Sequence, residues 1–260
     1  MQFVNDIAAG FANISLAQLV IVACVTLVAS VLGGVAGYGT GALTPLVLVP
    51  MLGAEPVVPI IAISALFTNL GRVAAFLRHV DARRAAIVVA CAALTCVVGA
   101  WGYSRLNGVG AALVIGTMLI LSVPLRRIAR RRALTIGDSG LAIGATGFGL
   151  VVGGTSGSGA ILLSLLMAAG LEGAAVVATD AIISIAMGIV KVATFSVTGV
   201  VTAQVLAFGL LIGAIAFPGG FLARMLVERM PVKLHTAMLD AVVIIGGVTM
   251  IVAAVKMGYG

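Results

Sequence analysis

A polypeptide that enters a membrane must satisfy every backbone N–H and C=O within the protein, because hydrocarbon supplies no partners. This sequence is built mostly from runs to which that rule applies. Eight apolar runs approach the length that crosses hydrocarbon as helix, about 20 residues. They lie at 16–36, 57–78, 85–106, 108–125, 138–152, 174–197, 201–226 and 236–255. Of 260 residues, 62% are hydrophobic and 9% charged, and the mean hydropathy is +1.28. A soluble domain is nearer half apolar and about a quarter charged, so water would face more apolar surface here than a soluble monomer shows. The expected fold class is an all-α polytopic membrane protein.

Glycine breaks the pattern in two places, at Gly37-Tyr38-Gly39-Thr40-Gly41 and at Gly153-Gly154-Thr155-Ser156-Gly157-Ser158-Gly159. A short apolar piece follows each, at 42–52 and 160–169. One such stretch alone reads as helix packing, since glycine lets membrane helices approach closely. Two with the same flanks point further, because interruptions at corresponding places in two halves mark a transporter's binding site. The short pieces bring the expected total to eight full helices plus two short ones.

The halves divide at 1–132 and 133–260. Each reads glycine break, short helix, tight turn, then three longer helices, with an acid in each turn at Glu55 and Glu172. Each also carries a Gly-Ala pair, at Gly99-Ala100 and Gly213-Ala214. Basic residues concentrate in the connections 78–84, 126–132 and 224–233, whereas 198–202 has no charge. If the short pieces cross the membrane, each half crosses five times and all three basic connections fall on one side. The positive-inside rule makes that side cytoplasmic, and an odd number of crossings makes the repeats inverted. If the short pieces are re-entrant, one basic connection falls outside. Charge placement therefore favours inversion.

The net charge of +7 does not point to nucleic acid. Arg126, Arg127, Arg130, Arg131 and Arg132 sit between two apolar runs as a cytoplasmic anchor would, not on a soluble basic face. Residues 1–13 contain Asp6 and no Lys or Arg, so the basic region of a signal peptide is missing and the first run reads as a retained helix. Cys24, Cys91 and Cys96 fall inside apolar runs without metal-ligand spacing, and read as small buried hydrophobes. No metal or cofactor is implied.

Polar side chains that could hold a substrate follow each short piece. Ser64, Thr68 and Arg72 are spaced four apart and share a helix face, with Asn69 beside them. Asp180, Ser184 and Gly188 repeat the spacing, and Lys191 follows. Arg72 lies 33 residues after Gly39 and Lys191 lies 34 after Gly157. Charged side chains inside membrane segments are costly and usually face a cavity or a partner. The competing readings are snorkelling of Arg72 and Lys191 to an interface and a wetted helix end for Asp180. Asp138 and Asp240 sit near helix starts, where a carboxylate simply complements the dipole.

The short helices are expected to start at Ala42 and Ala160, turning their free N–H groups toward the breaks. Thr40, Thr155, Ser156 and Ser158 add hydroxyl donors. Together with Gly37, Gly39, Gly41, Gly157 and Gly159, and with Ser64, Thr68, Arg72 and Lys191, they form the expected anion site. Asp180 is the candidate coupling residue. Pro45 and Pro50 are expected to keep the first short helix irregular.

At these residues the chain resembles the TauE/SafE sulfite exporter family of membrane permeases. The likeness is carried by the first break with Pro45 and Gly53, by His79-Val80-Asp81 before Ala85, and by Gly157-Ser158-Gly159 through Ala178-Thr179. Thr198-Gly199-Val200, Gly213-Ala214 and the segment from Pro231 onward also fit. The resemblance implies transport of a small sulfur-containing or organic anion, such as sulfite or a sulfonate, across the cell inner (cytoplasmic) membrane. The expected function is a secondary transporter of such an anion, either exporter or importer, with a passive anion channel as the alternative. A proton or sodium ion as coupling partner stays open, as does a homo-oligomer. An enzyme is disfavoured, since His79 and His235 stand alone and no nucleophile has a base at motif spacing. A pure scaffold would make the polar stripes dispensable.

Overall fold

The computed structural model describes residues 9–11, 14–36, 39–131, 135–218 and 232–258. They form ten α-helices and no strand. In order these are α1 (Leu16–Ala36), α2 (Gly39–Leu52), α3 (Val57–Phe76), α4 (Ala82–Tyr103), α5 (Gly108–Arg131), α6 (Asp138–Gly154), α7 (Gly159–Ala168), α8 (Gly173–Val197), α9 (Ala203–Ala216) and α10 (Val232–Gly258). A 3₁₀ turn, Leu77–His79, joins α3 to α4. Among the described residues, three stretches are long and apolar enough to cross a membrane: Val57–Ala74, Ala82–Tyr103 and Gly173–Val197. The other helices hold shorter apolar stretches among the described residues, such as Leu16–Val31, Gly108–Pro124 and Val243–Lys256.

Several helix ends differ from those expected. α5 runs on through Arg130 to Arg131 instead of stopping at 125, because arginine is a good helix former and the last turn no longer needs hydrocarbon contact. α2 begins at Gly39, three residues early, and contains both Pro45 and Pro50. It is thus one continuous helix, and the prolines act by deleting bonds: Pro45 has no N–H to offer the Gly41 carbonyl, nor Pro50 to offer that of Leu46. α6 continues through Gly153 and Gly154, which shrinks the second break to residues 155–158. Gly37 lies outside the described residues, as does most of the basic stretch 224–233.

Turn chemistry fixes the joints. Gly53 and Gly170 end the two short helices at φ +81° and +86°, a left-handed region in which a side chain costs about 1–2 kcal/mol. After α7, Leu171 N–H reaches Leu166 O at 3.1 Å and Gly170 N–H reaches Met167 O at 3.0 Å, which closes off the orphan carbonyls. Asp81 caps α4, accepting from Arg84 N–H at 2.9 Å. Its own N–H donates to Thr179 Oγ1 of α8 at 3.0 Å, so this joint is pinned to the other half of the chain.

Burial runs opposite to that of a soluble protein. Leu94, Ile143 and Val197 are at least three-quarters exposed, whereas Asn69, Ser156, Thr179, Asp180 and Lys191 are buried. Lipid is the surround that such an exterior suits. Cys96 is buried as expected and Cys91 partly so, but Cys24 is exposed on the apolar outside of α1, where a thiol behaves as a small hydrophobe equally well.

The helix pairings repeat when α1–α5 are exchanged with α6–α10. α4 packs on α6 as α9 packs on α1, α4 on α8 as α9 on α3, and α5 on α7 as α10 on α2. The α3–α8 and α5–α10 contacts map onto themselves, and both run antiparallel. Gly188 lies against Ala62 and Leu66 while Asp180 meets Arg72; Gly116 lies against Met250 and Ile251, and Gly247 against Leu119 and Ile120. α4 and α6 run parallel along a glycine seam, where a Cβ at Gly149 or Gly153 would collide with the carbonyl oxygens of Ala92 and Cys96.

Candidate functional site

The long-helix stripes and the two breaks converge on one cavity of about 130 Å³. A single water needs only about 10–15 Å³ of such space, so the cavity admits several waters or one small oxyanion. α3 presents Ile61, Ala65, Thr68 and Arg72, four residues at helical spacing. α8 contributes Ser184, Met187, Gly188 and Lys191, and the breaks supply Thr40, Gly41 and residues 155–159. Each half of the chain therefore builds part of the wall.

The breaks touch through backbone. A Cβ at Gly41 would lie 3.0 Å from Gly157 N, and one at Gly157 would lie 3.4 Å from Gly41 O. Gly157 has φ +80°. Both features call for glycine at the crossing. α7 starts at Gly159, behind Ser158, whose side chain makes no capping bond. The N–H groups of Gly159 and Ala160 thus lack intrahelical acceptors beside the cavity, whereas Ile161 N–H donates to Ser158 O at 2.9 Å. α2 begins at Gly39, with Thr40 and Gly41 in its first turn.

Two cations serve the wall differently. Arg72 Nη1 donates to Asp180 Oδ2 at 2.7 Å and to Asn69 Oδ1 at 2.9 Å. Arg72 is 11% exposed and Asp180 1%, so neither snorkels to an interface nor sits at a wetted helix end. The second cation, Lys191, is equally enclosed, 5% exposed. Its Nζ donates to the Thr155 carbonyl at 3.0 Å, and no carboxylate among the described residues is in ion-pair reach. An ammonium carries three donors, so a carbonyl alone leaves it short of both bonds and countercharge. Ser156 Oγ, Arg72 Nε and Nη2, and Asp180 Oδ1 are also buried without a hydrogen-bond partner among the described residues.

Of the residues singled out in the sequence, Thr40, Gly41, Thr68, Arg72, Thr155, Ser156, Gly157, Ser158, Gly159 and Lys191 line the cavity. Asp180 sits behind Arg72. Gly39 opens α2, and Ser64 is buried with its hydroxyl returned to Ile61 O at 3.1 Å. Ser30, Asn69 and Ser184 also line the cavity. Asn69 was legible as the i−3 neighbour of Arg72 and Ser184 as part of the stripe, and Ser30 had a fainter signal, lying four residues after Thr26 in its apolar run.

The sequence profile described as Sulfite exporter TauE/SafE matches residues 22–250, which spans both breaks and nine-tenths of the described helices. The chain belongs to the TauE/SafE family. As a member it is a multi-pass membrane protein of a transport family. No curated protein and no solved structure matches it.

Proposed function

We propose that this TauE/SafE protein is a secondary transporter of a small sulfur-containing anion, sulfite or a sulfonate, bound where the two breaks meet. One observation carries the reading: Lys191 is buried against the cavity with a carbonyl but no carboxylate as partner among the described residues. An ion buried at such depth is ordinarily paired, and a bound anion would supply the countercharge. Ser156 Oγ and the free N–H groups of α7 offer hydrogen bonds to the same ion.

The antiparallel run of α3 against α8 and of α5 against α10 supports an inverted repeat, since equivalent helices of a parallel repeat would point the same way. It also favours α2 and α7 as crossings in direction, because re-entrant short helices would leave α3 and α8 parallel. At roughly 1.5 Å per residue their 14 and 10 residues reach only about 21 and 15 Å. Each then needs protein around its ends, which the crossing at Gly41 and Gly157 supplies. In this arrangement the basic connections face the cytoplasm. Asp180 acts through Arg72, so any coupling proton reaching it must first loosen that ion pair.

The test is tracer sulfite flux in proteoliposomes with and without an imposed proton gradient. Accumulation against the sulfite gradient is expected, with sharp loss in Lys191→Ala and Gly157→Leu at normal expression. Flux that only dissipates a gradient would indicate a channel with the same site. Unchanged flux in both variants overturns the assignment.

A further inference from the structure

Resting on the anion reading, we infer that the Arg72–Asp180 pair makes the site selective for ions of a single negative charge, with Asp180 as the residue that sets this limit. The wall carries two cations, Arg72 and Lys191, and Asp180 is in contact with Arg72 at 2.7 Å. One net positive charge is left for a ligand. A monoanion balances it, whereas a dianion leaves one unpaired charge in a buried, low-dielectric site. Bisulfite and monovalent sulfonates fit this count; sulfate and the sulfite dianion do not, so sulfite would be carried in its protonated form, bisulfite.

The internal symmetry shows that Asp180 is an addition to the site rather than part of its frame. Arg72 and Lys191 occupy nearly equivalent places in the two halves, but the places in α3 equivalent to Asp180 are filled by Ile61 and Ala62. A site built from two matching halves would hold two cations and welcome a dianion. The carboxylate on one side removes that option. It is not fully neutralised in other ways: Asp180 Oδ1 and Arg72 Nε and Nη2 have no hydrogen-bond partner among the described residues. Arg72 thus keeps donors for the ligand while lending most of its charge to Asp180.

The experiment measures stabilisation of the purified full chain by methanesulfonate and by sulfate at constant ionic strength, with their midpoints compared. Wild type should respond to methanesulfonate at a concentration at least about tenfold below sulfate, the order expected for one uncompensated charge at close range. Asp180→Asn raises the site to two net charges and should narrow or reverse that ratio by about tenfold or more. Arg72→Gln leaves no net charge and should weaken both anions. The double variant Arg72→Gln, Asp180→Asn restores one net charge, so it should recover the wild-type order of preference at lower affinity. That recovery separates charge from structure, and it stands even if Asp180→Asn alone fails to fold. A wild-type response to neither anion overturns the anion reading as a whole. A response to both without charge preference, or a double variant that prefers sulfate, overturns this inference alone.

Discussion

Replacing Lys191 with methionine removes the charge but keeps a flexible apolar stem of similar length, so loss of charge and loss of packing can be separated. An anion in contact with the ammonium, about 4 Å between charge centres at an effective dielectric near 20, gains about 4 kcal/mol. Shedding water from both ions takes back part of this, leaving about 3 kcal/mol, or roughly a hundredfold in affinity. The fold bears a different cost. It loses the charge-assisted bond to Thr155 O, worth about 1.5–3 kcal/mol, but is relieved of a buried ammonium that costs about 2.5–3.5 kcal/mol within a membrane helix. Lys191→Met should therefore melt no lower than wild type while its apparent KM for sulfite in proteoliposomes rises about a hundredfold. Transport and thermal stability would move independently. A KM within about threefold of wild type in a well-folded variant would refute the reasoning, because an ammonium worth less than about 1 kcal/mol to the anion cannot anchor the site.

Three further outcomes are expected. Gly153→Leu should abolish accumulation of folded protein, since its side chain would be driven into the Cys96 carbonyl, whereas Gly147→Leu, with nothing within 4 Å of its Cβ position, should express normally; size-exclusion profiles distinguish the two. Asp81→Ala should lower the melting temperature at neutral pH, by about 1 kcal/mol for the lost cap. The Arg84 N–H that Asp81 accepts holds its carboxyl below the usual value of 3.8. A depressed folded-state pKa stabilises above the unfolded value and is lost as pH falls through the folded one, so the two melting curves should converge below about pH 4. For the inverted topology, single cysteines at Ser104 and Val200 in a cysteine-free background should react with an impermeant thiol reagent on intact cells, and one at Arg78 should not; labelling at Arg78 would argue for the other orientation.

The parts of this protein that are legible in its sequence are those set by local chemistry. Apolar run length places α1 at Leu16–Ala36 without adjustment, and the i, i+4 spacing of Thr68 and Arg72 puts both on the cavity side of α3. Helix ends next to glycine or arginine were less legible, because both are tolerated on either side of a boundary; α2, α5 and α6 all extend into such stretches. Partnership across the fold is a different matter. That Arg72 meets Asp180 depends on α3 and α8 running antiparallel, and that Lys191 meets the Thr155 carbonyl depends on α8 lying beside the end of α6, neither of which spacing along one helix can express. Ser30 is a third case, a hydroxyl one turn after Thr26 that becomes part of a wall only when α1 packs beside α2.

The crossing of Gly41 and Gly157 has a mechanical consequence. A contact made by bare backbone has no side chains to disengage when one half tilts against the other, so it can serve as a pivot, with the substrate held beside its axis. Pro45 leaves the Gly41 carbonyl without a helical donor, which keeps that bearing surface free of the helix's own bonds. Adding even one methyl group at Gly41, 3.0 Å from Gly157 N, should turn the bearing into a lock. Gly41→Ala is then expected to slow turnover more than it weakens anion binding, and an equal loss in both would show that the two halves do not turn about this point.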